Sequence, residues 1–399
     1  MRNLAALIGA AAASAPFPPP LLSRPWLYFG ANETGPADNP LYAALAANSS
    51  LAGYGWQNNA APSHYQHGEA NLLAAARALS AAAPGLPTFV YRHFQMSWGL
   101  FDVQRANDAD PAARGMFLRD DDNAAGAAEC RQAVPGGGTS PFFAFVNESA
   151  GAFWVDKVIA EVAAEGAVSA LFMDECDWSM CGYNFKPTGC ANISDAFRLR
   201  DFTAKLPAIR ATADALNAAN KWPIFSSKNL LSAAWAGLPA SAARPCIAPH
   251  DAFAAALAGA AYARFYEFFM GQGADLDAAT IQNAMLEGAA GVGFVARAQA
   301  DAAAQCAAAC TSGYAGKASL AYALAAFLVA RTSPYSYFGV SAGWYSPCWC
   351  WHAEFDAASA CGAPAAAAVR TGPHAWTRAY EHCVVRVNTS EMTGYFGAP

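Results

Sequence analysis

Three carboxylates and a tryptophan follow an apolar run near the middle of the chain. Residues 168–173 lead directly into Asp174 and Glu175, and Asp177 and Trp178 come next. Carboxylates at the end of a buried strand are costly to desolvate, so they usually serve in proton transfer, nucleophilic attack or metal binding. Asp174 and Glu175 are therefore candidate catalytic residues, and Asp177 and Trp178 are candidate substrate-binding residues. The alternative is a loop whose carboxylates face solvent or cap the next helix.

A second candidate carboxylate, Glu267, lies in an aromatic segment over 264–270. Apolar surroundings raise the pKa of a carboxyl group, as a general acid requires. Glu267 is therefore our second candidate catalytic residue. The alternative is a structural charge that Arg264 neutralises.

Further polar and aromatic residues follow other predicted strands and could bind substrate hydroxyls. Each of them could equally be a polar residue between the core and a loop. These candidate substrate-binding residues are Tyr91, Arg92, His93, Lys228, Asn229 and Trp56.

Several motifs of other enzyme classes are absent from the sequence. There is no Gly-x-Ser-x-Gly, no His-Glu-x-x-His and no glycine-rich phosphate loop. The seven histidines show no metal-ligand spacing, so we expect no cofactor and no metal. One alternative stays open, in which Asp174, Glu175 and Asp177, with 120–122, form a site for Ca²⁺ or Mg²⁺.

The candidate residues need elements that position them, and short β-rich runs alternate with helical stretches. Alternation of this kind predicts βαβ units and a parallel sheet. Eight strands favour an α/β fold of the (β/α)8 TIM-barrel type with long βα loops, in which active sites lie at the carboxyl ends of the strands. The predicted strands are 26–30, 53–57, 88–92, 168–174, 223–227, 262–267, 291–295 and 335–338, and the predicted helices are 69–83, 151–166, 194–219, 274–288 and 315–330.

The chain is expected to divide into three parts. Residues 1–15 are predicted as a signal peptide, 24–340 as a catalytic barrel and 341–399 as a small C-terminal β extension packed on it. The best strand of that extension is 383–388. Residues 94–150 are too long for an ordinary connection and predict an elaborated loop over the active-site face.

Composition limits the class of protein. The 399 residues carry 24 basic and 30 acidic side chains, a formal net charge of −6. Such a balance excludes a nucleic-acid protein that works by counterion release. The 11 Trp, 15 Tyr and 24 Phe argue against disorder, and no segment after the amino terminus reads as a membrane span.

Three features predict a secreted or secretory-pathway glycoprotein. The amino terminus has a basic start, a short apolar stretch over 4–13 and small residues, as a signal peptide does. The 11 cysteines lack zinc-finger spacing and are expected to form disulfides. Five Asn-x-Ser/Thr sequons begin at Asn32, Asn48, Asn147, Asn192 and Asn388.

Short motifs resemble glycoside-hydrolase-like TIM-barrel proteins, including uncharacterised families. Phe153-Trp154 leading into the strand that ends at Asp174 is similar to their helix-and-strand block, and 376–388 is similar to their carboxyl-terminal finish. The resemblance implies a carbohydrate-active barrel with Asp174 as nucleophile or base. By analogy with retaining α-glycosidases that use the fourth and sixth strands, it implies Glu267 as acid/base.

These observations together predict a secreted glycoside hydrolase that cleaves a poly- or oligosaccharide with two carboxylates. The alternative is a barrel that binds carbohydrate without hydrolysing it. The expected partner is a carbohydrate substrate, with no nucleic acid and no membrane span, and the chain is expected to be a monomer.

Overall fold

A computed structural model describes most of the chain. The described residues are 27–30, 47–55, 68–133, 138–176, 190, 192–226, 247–267, 269–299, 318–341 and 351–397.

Eight parallel strands form the main sheet of the described chain. They pair in the order β1-β2-β3-β6-β7-β8-β9-β10, and β1 lies against β10, so the sheet curls into the predicted (β/α)8 barrel. In chain order the strands are β1 (Leu27–Gly30), β2 (Leu51–Tyr54), β3 (Thr88–His93), β4 (Arg131–Ala133), β5 (Thr139–Pro141), β6 (Ala170–Asp174), β7 (Trp222–Ser226), β8 (Ala263–Tyr266), β9 (Gly293–Gln299), β10 (Ser336–Ser341), β11 (Val369–Gly372), β12 (Ala375–Ala379), β13 (Val384–Asn388) and β14 (Thr393–Gly397).

Helices alternate with the barrel strands. A π-helical segment, Trp154–Val158, joins α3 to α4, and the hydroxyl of Ser194 accepts a hydrogen bond from the Phe197 amide to begin the long helix α5. None of the helices in the described ranges combines the length and apolarity of a membrane span. The helices are α1 (Gly68–Ala82), α2 (Asp102–Ala109), α3 (Glu148–Phe153), α4 (Ala160–Ala164), α5 (Asp195–Ala218), α6 (Ile247–Ala256), α7 (Ala274–Ala289), α8 (Leu320–Ala330) and α9 (Ala353–Ala360).

The long connection between β3 and β6 has structure of its own. It contains α2, a 3-10 helix over Pro111–Met116 and the antiparallel pair β4–β5. A disulfide joins Cys130, in this connection, to Cys190, beyond β6. The disulfide therefore links this connection covalently to the segment that follows the fourth barrel strand.

A four-stranded antiparallel sheet, β11-β12-β13-β14, follows the barrel and confirms the expected C-terminal β element. Its inner face packs on the last barrel helix, α8. At Gly394 an added Cβ would lie 2.5 Å from the Ala321 carbonyl oxygen, so the strand packs directly on the backbone of the helix. A disulfide between Cys361 and Cys383 ties the sheet to the end of α9.

Aromatic rings fill the centre of the barrel. The Phe172 ring lies 4.3 Å from that of Phe265 and 5.6 Å from that of Tyr91, measured between centroids. These residues come from β6, β8 and β3, so their side chains meet inside the barrel. Because strand side chains alternate between faces, residues two positions further along each strand point to the same interior at its carboxyl end.

Candidate active site

Asp174 is the last residue of β6 and points into the barrel. It lies two positions beyond Phe172 on the same face, and its residue is 8 % exposed. The Tyr91 hydroxyl donates to Oδ2 at 2.9 Å, and the Glu175 amide donates to Oδ1 at 2.9 Å. Both carboxylate oxygens are therefore held by donors at the carboxyl end of the barrel.

The Tyr91 hydroxyl stays protonated beside this carboxylate. Burial raises its pKa well above the usual range, and the negative charges of Asp174, Glu175 and Glu267 raise it further. Tyr91 was predicted to bind substrate, and the structure places its hydroxyl on Asp174. All three predicted carboxylates therefore act electrostatically on one hydroxyl group.

Glu175 follows Asp174 in a left-handed turn, with a φ of 57°. Its side chain is partly buried, while the strand alternation directs Asp174 to the interior. The sequence did not decide which of these two carboxyl groups faces the site, and the structure gives that position to Asp174.

Glu267 directly follows β8 and points to the same interior. It lies two positions beyond Phe265 and is 6 % exposed. Arg297, on the neighbouring strand β9, donates to Glu267 Oε1 at 3.1 Å. Arg264 does not neutralise it, because Arg264 lies on the outer face of β8 and donates to Glu287 at 2.8 Å.

His93 lies beside Asp174, since the two residues are partners in the β3–β6 register. Its Nδ1 accepts a hydrogen bond from the Met96 amide at 3.0 Å, which places the ring proton on Nε2. Burial lowers the pKa of His93 to about 3, and the Lys205 ammonium contributes. The imidazole is therefore a neutral donor at the barrel mouth, with the Trp98 ring 5.3 Å away.

Arg92 does not join this group, because it is the outward-facing residue between Tyr91 and His93. Its guanidinium donates to the Tyr91 carbonyl at 2.8 Å and lies 4.8 Å from the Phe101 ring centroid. The carboxylates that act on it electrostatically are Glu69 and Glu161, on the surrounding helices. The prediction placed Tyr91, Arg92 and His93 in one site. Because side chains alternate along the strand, Arg92 lies on the opposite face from the other two.

The remaining predicted substrate-binding residues lie outside the described residues. They are Asp177, Trp178, Lys228, Asn229 and Trp56. Their roles stay predictions.

The described residues offer no support for the alternative cation site. No group of three or more His, Cys, Asp and Glu side chains among them could hold a metal ion. The Asp120 carboxylate accepts hydrogen bonds from Asn192, and the Asp122 carboxylate accepts them from Ser194. Asp177, a member of the proposed cation site, is not among the described residues.

Sequence reasoning missed two basic residues around the site. Arg297 continues the alternation of β9 two positions beyond Val295, where the predicted strand ended. Lys205 is fully buried on α5, and its ammonium donates to Gln95 Oε1 and, at 3.5 Å, to the Cys176 carbonyl. Extending the predicted strand 291–295 by two residues would have placed Arg297 at the barrel mouth. The residues around Lys205 give no sign in the sequence that it lies near the site.

The overall fold is similar to those of solved glycosidases. One of them is α-N-acetylgalactosaminidase NagBb from Bifidobacterium bifidum, which matches with a TM-score of 0.51 and 11 % identity. The match covers 100 % of this chain and 60 % of that protein's chain. The glucose complex of the GH31 dextranase FjDex31A from Flavobacterium johnsoniae matches with a TM-score of 0.47 and 12 % identity, over 86 % of this chain and 39 % of its own. The chain thus spans between two fifths and three fifths of these proteins.

One solved structure of similar length also matches. It is the ligand-free cyclic α-maltosyl-(1→6)-maltose hydrolase from Arthrobacter globiformis, with a TM-score of 0.48 and 10 % identity over 96 % of this chain and 97 % of its own. No curated protein sequence matches the chain. At these identities the likeness concerns the fold alone.

A family model gives the more specific result. The model described as hypothetical glycosyl hydrolase family 15 matches residues 142–384. The match includes both candidate catalytic strands, β6 and β8, and it covers more than half of the chain. The chain therefore belongs to hypothetical glycosyl hydrolase family 15.

Proposed function

We propose that the chain is a secreted glycoside hydrolase that cleaves O-glycosidic bonds in a poly- or oligosaccharide at the carboxyl end of its barrel. The observation that carries the proposal is the pair of buried carboxylates, Asp174 on the fourth barrel strand and Glu267 after the sixth. The charges of both act on the Tyr91 hydroxyl. Membership of a glycosyl hydrolase family supports the same chemistry.

The two carboxyl groups have different surroundings, which suits different roles. Glycoside hydrolysis needs one group that protonates the leaving oxygen and another that attacks the anomeric carbon or activates water. Asp174 takes the second role. The Tyr91 hydroxyl and the Glu175 amide both donate hydrogen bonds to its carboxylate, and such donors favour the ionised form that attack or activation of water requires. Glu267 takes the first role, and Arg297 fixes the orientation of its carboxyl group by donating to Oε1.

The neutral side chains of the mouth would bind the sugar. The Nε2–H group of His93 is suited to donate to a substrate hydroxyl, and the Trp98 ring beside it adds an apolar surface. Trp178, Asp177, Lys228, Asn229 and Trp56 are proposed to complete the binding site from the neighbouring loops. Secretion is supported by two disulfides among the described residues and by the signal-peptide pattern.

The test is glycosidase activity of D174N and E267Q against aryl glycosides and polysaccharides. Each substitution should lower kcat/KM by about 10²–10⁴-fold, while the thermal unfolding temperature stays close to that of the parent. E267Q should keep more activity on a 2,4-dinitrophenyl glycoside than on a natural glycan, because that leaving group needs no proton. D174N should lose activity on both.

D156N is the matched control, because Asp156 is an exposed carboxylate on the π-helical segment. It should retain full activity. Full activity in both D174N and E267Q would contradict the proposal. Carbohydrate binding by the parent protein without any cleavage would instead favour the non-catalytic alternative.

A further inference from the structure

The outer face of the C-terminal sheet carries an exposed aromatic residue with polar neighbours. In the β12–β13–β14 register, Thr377 pairs with Arg386 and Arg386 pairs with Tyr395. The next row across the same face brings Asn388 against Thr393. The buried alternate residues Val385 and Val387 point the opposite way, so these polar side chains share the solvent side.

Tyr395 lies along this face rather than standing away from it. A Cβ added to Gly397, two positions further on the same strand, would lie 2.4 Å from the Tyr395 hydroxyl oxygen. Gly397 therefore leaves the space over which the ring lies. The residue is 52 % exposed, and it is one of three exposed large hydrophobic residues among the described residues. The Arg386 guanidinium lies 6.0 Å from the ring centroid.

Tyr395 is one of the residues that line a cavity of about 400 Å³, which is within the usual size range of small-ligand sites. Its polar lining comes from Thr371, Thr377, Arg386, Asn388 and Thr393. Among the described residues that line the cavity, Arg386 is the only charged one and none carries a carboxylate. Hydroxyl, amide and guanidinium groups thus line the same cavity as the exposed Tyr395.

We propose that this face binds a pyranose ring of a neutral oligosaccharide, with the sugar stacked on Tyr395. The C–H face of a pyranose packs on an aromatic ring, while its hydroxyls bind the groups around it. This site lies on the sheet that packs outside α8 and is separate from the carboxylates of the barrel mouth. It goes beyond the proposed hydrolysis and requires no catalytic residue.

The same sugar chemistry has a second possible source. Asn388 begins the sequon Asn388-Thr389-Ser390, and its Oδ1 accepts hydrogen bonds from the amide and hydroxyl of Ser390 at 3.0 and 2.8 Å. A glycan attached to Asn388 would start inside the cavity. Protein made in bacterial and in secreting eukaryotic cells distinguishes an oligosaccharide in solution from an attached glycan.

The experiment is hydrogen–deuterium exchange of full-length D174N from bacterial cells, with maltohexaose, isomaltohexaose or cellohexaose added separately. D174N removes cleavage from the measurement. At least one oligosaccharide should slow exchange over 384–397. Adding Y395A should weaken the binding that produces this protection by about tenfold or more, the loss expected for one stacking ring. V369A is the control, because Val369 is exposed on the same sheet but does not line the cavity.

Each outcome decides the proposal. Protection of 384–397 that Y395A removes and V369A keeps would support it, whether or not the protein hydrolyses glycans. No protection with any of the three, or equal protection with Y395A, would overturn it. Protection in secreted protein alone, together with a glycan on Asn388 and its loss in S390A, would assign the cavity to the attached glycan and likewise overturn it.

Discussion

One buried hydroxyl orients the candidate nucleophile. The Tyr91 hydroxyl donates to Asp174 Oδ2 at 2.9 Å, and the Glu175 amide donates to Oδ1 at 2.9 Å. In Y91F the carboxylate would lose that donor but keep its position on β6. A hydrogen bond to a charged group contributes about 1.5–3 kcal/mol, so kcat should fall by about 10- to 100-fold. KM should change little, because the hydroxyl binds the carboxylate rather than the sugar.

Steady-state kinetics of Y91F on an aryl glycoside measure this effect. Y262F is the matched control, because Tyr262 is also buried but packs on Phe225 and Phe253 outside the barrel interior. Y262F should keep the parent kcat. A Y91F enzyme with unchanged kcat would show that the hydrogen bond has no role in catalysis.

His93 couples the same site to the pH dependence of folding. Its pKa in the folded protein is about 3, below the value of about 6.5 for an unfolded chain. Between these values the unfolded state binds a proton that the folded state does not. The stability that His93 contributes is therefore complete above pH 6.5 and is lost as the pH falls toward 3.

Replacing His93 by Asn tests this dependence, since Asn Oδ1 can still accept from the Met96 amide. Guanidinium unfolding of the parent should show a free energy that falls more steeply below pH 6.5 than that of H93N. The difference in slope should be about 1.4 kcal/mol per pH unit. H382N, at an exposed histidine, is the control for the loss of one histidine. Equal slopes for the parent and H93N would contradict a neutral buried His93.

At the scale of elements, the pattern of short apolar runs predicted most of the barrel from the sequence. The eight barrel strands and the position of Asp174 and Glu267 at strand ends follow from short apolar runs in the sequence. The contacts between strands were beyond reach, because they depend on a register between segments far apart in sequence. For this reason the alternative considered for Glu267 was a charge neutralised by Arg264, whereas the structure pairs Glu267 with Arg297.

A helix outside the barrel also supports the site, through a buried lysine. The Lys205 ammonium on α5 binds the Gln95 side chain, two residues beyond His93, and the Cys176 carbonyl, two residues beyond Asp174. One ammonium group thus links the segments that follow the neighbouring strands β3 and β6. It lies 5.3 Å from the Phe145 ring centroid. Burial raises the pKa of the nearby Asp201 carboxyl, and the Lys205 charge partly offsets this rise.

K205M should destabilise the protein and disturb the site together. Loss of the ammonium takes this donor from the Gln95 side chain and the Cys176 carbonyl, at a cost of about 1–3 kcal/mol for each acceptor. It also removes the charge that lowers the pKa of Asp201, so the double variant D201N/K205M should regain part of the lost free energy. The pKa of His93 should rise in K205M, because the Lys205 charge that helps to lower it is gone. A histidine-ring NMR titration measures this rise, and an exposed lysine variant, K157M, serves as control. An unchanged His93 pKa would contradict the electrostatic link.

At the scale of the whole molecule, one arginine attaches the C-terminal sheet to the barrel. Arg378, on β12, donates to the carbonyls of Leu328 and Val329 at 3.1 and 3.3 Å and to that of Arg331. These carbonyls end α8, where a positive charge also interacts favourably with the helix dipole. The Tyr380 hydroxyl donates to the Leu328 carbonyl at 2.7 Å. The arginine and tyrosine of the carboxyl-terminal motif therefore bind the end of the last barrel helix.

R378M should weaken this attachment. Methionine fills part of the volume but donates no hydrogen bond, and a buried carbonyl left without a donor costs about 1–3 kcal/mol. The midpoint of thermal unfolding should fall, and hydrogen exchange over 375–397 should speed up before that of the barrel strands. R378K should recover only part of the loss, because an ammonium lacks the planar fork of the guanidinium.

R386M is the control, because it replaces an exposed arginine on the opposite face of the same sheet. Its stability should stay within about 0.5 kcal/mol of the parent. Equal midpoints for R378M and R386M would show that the sheet holds to the barrel through its apolar face alone.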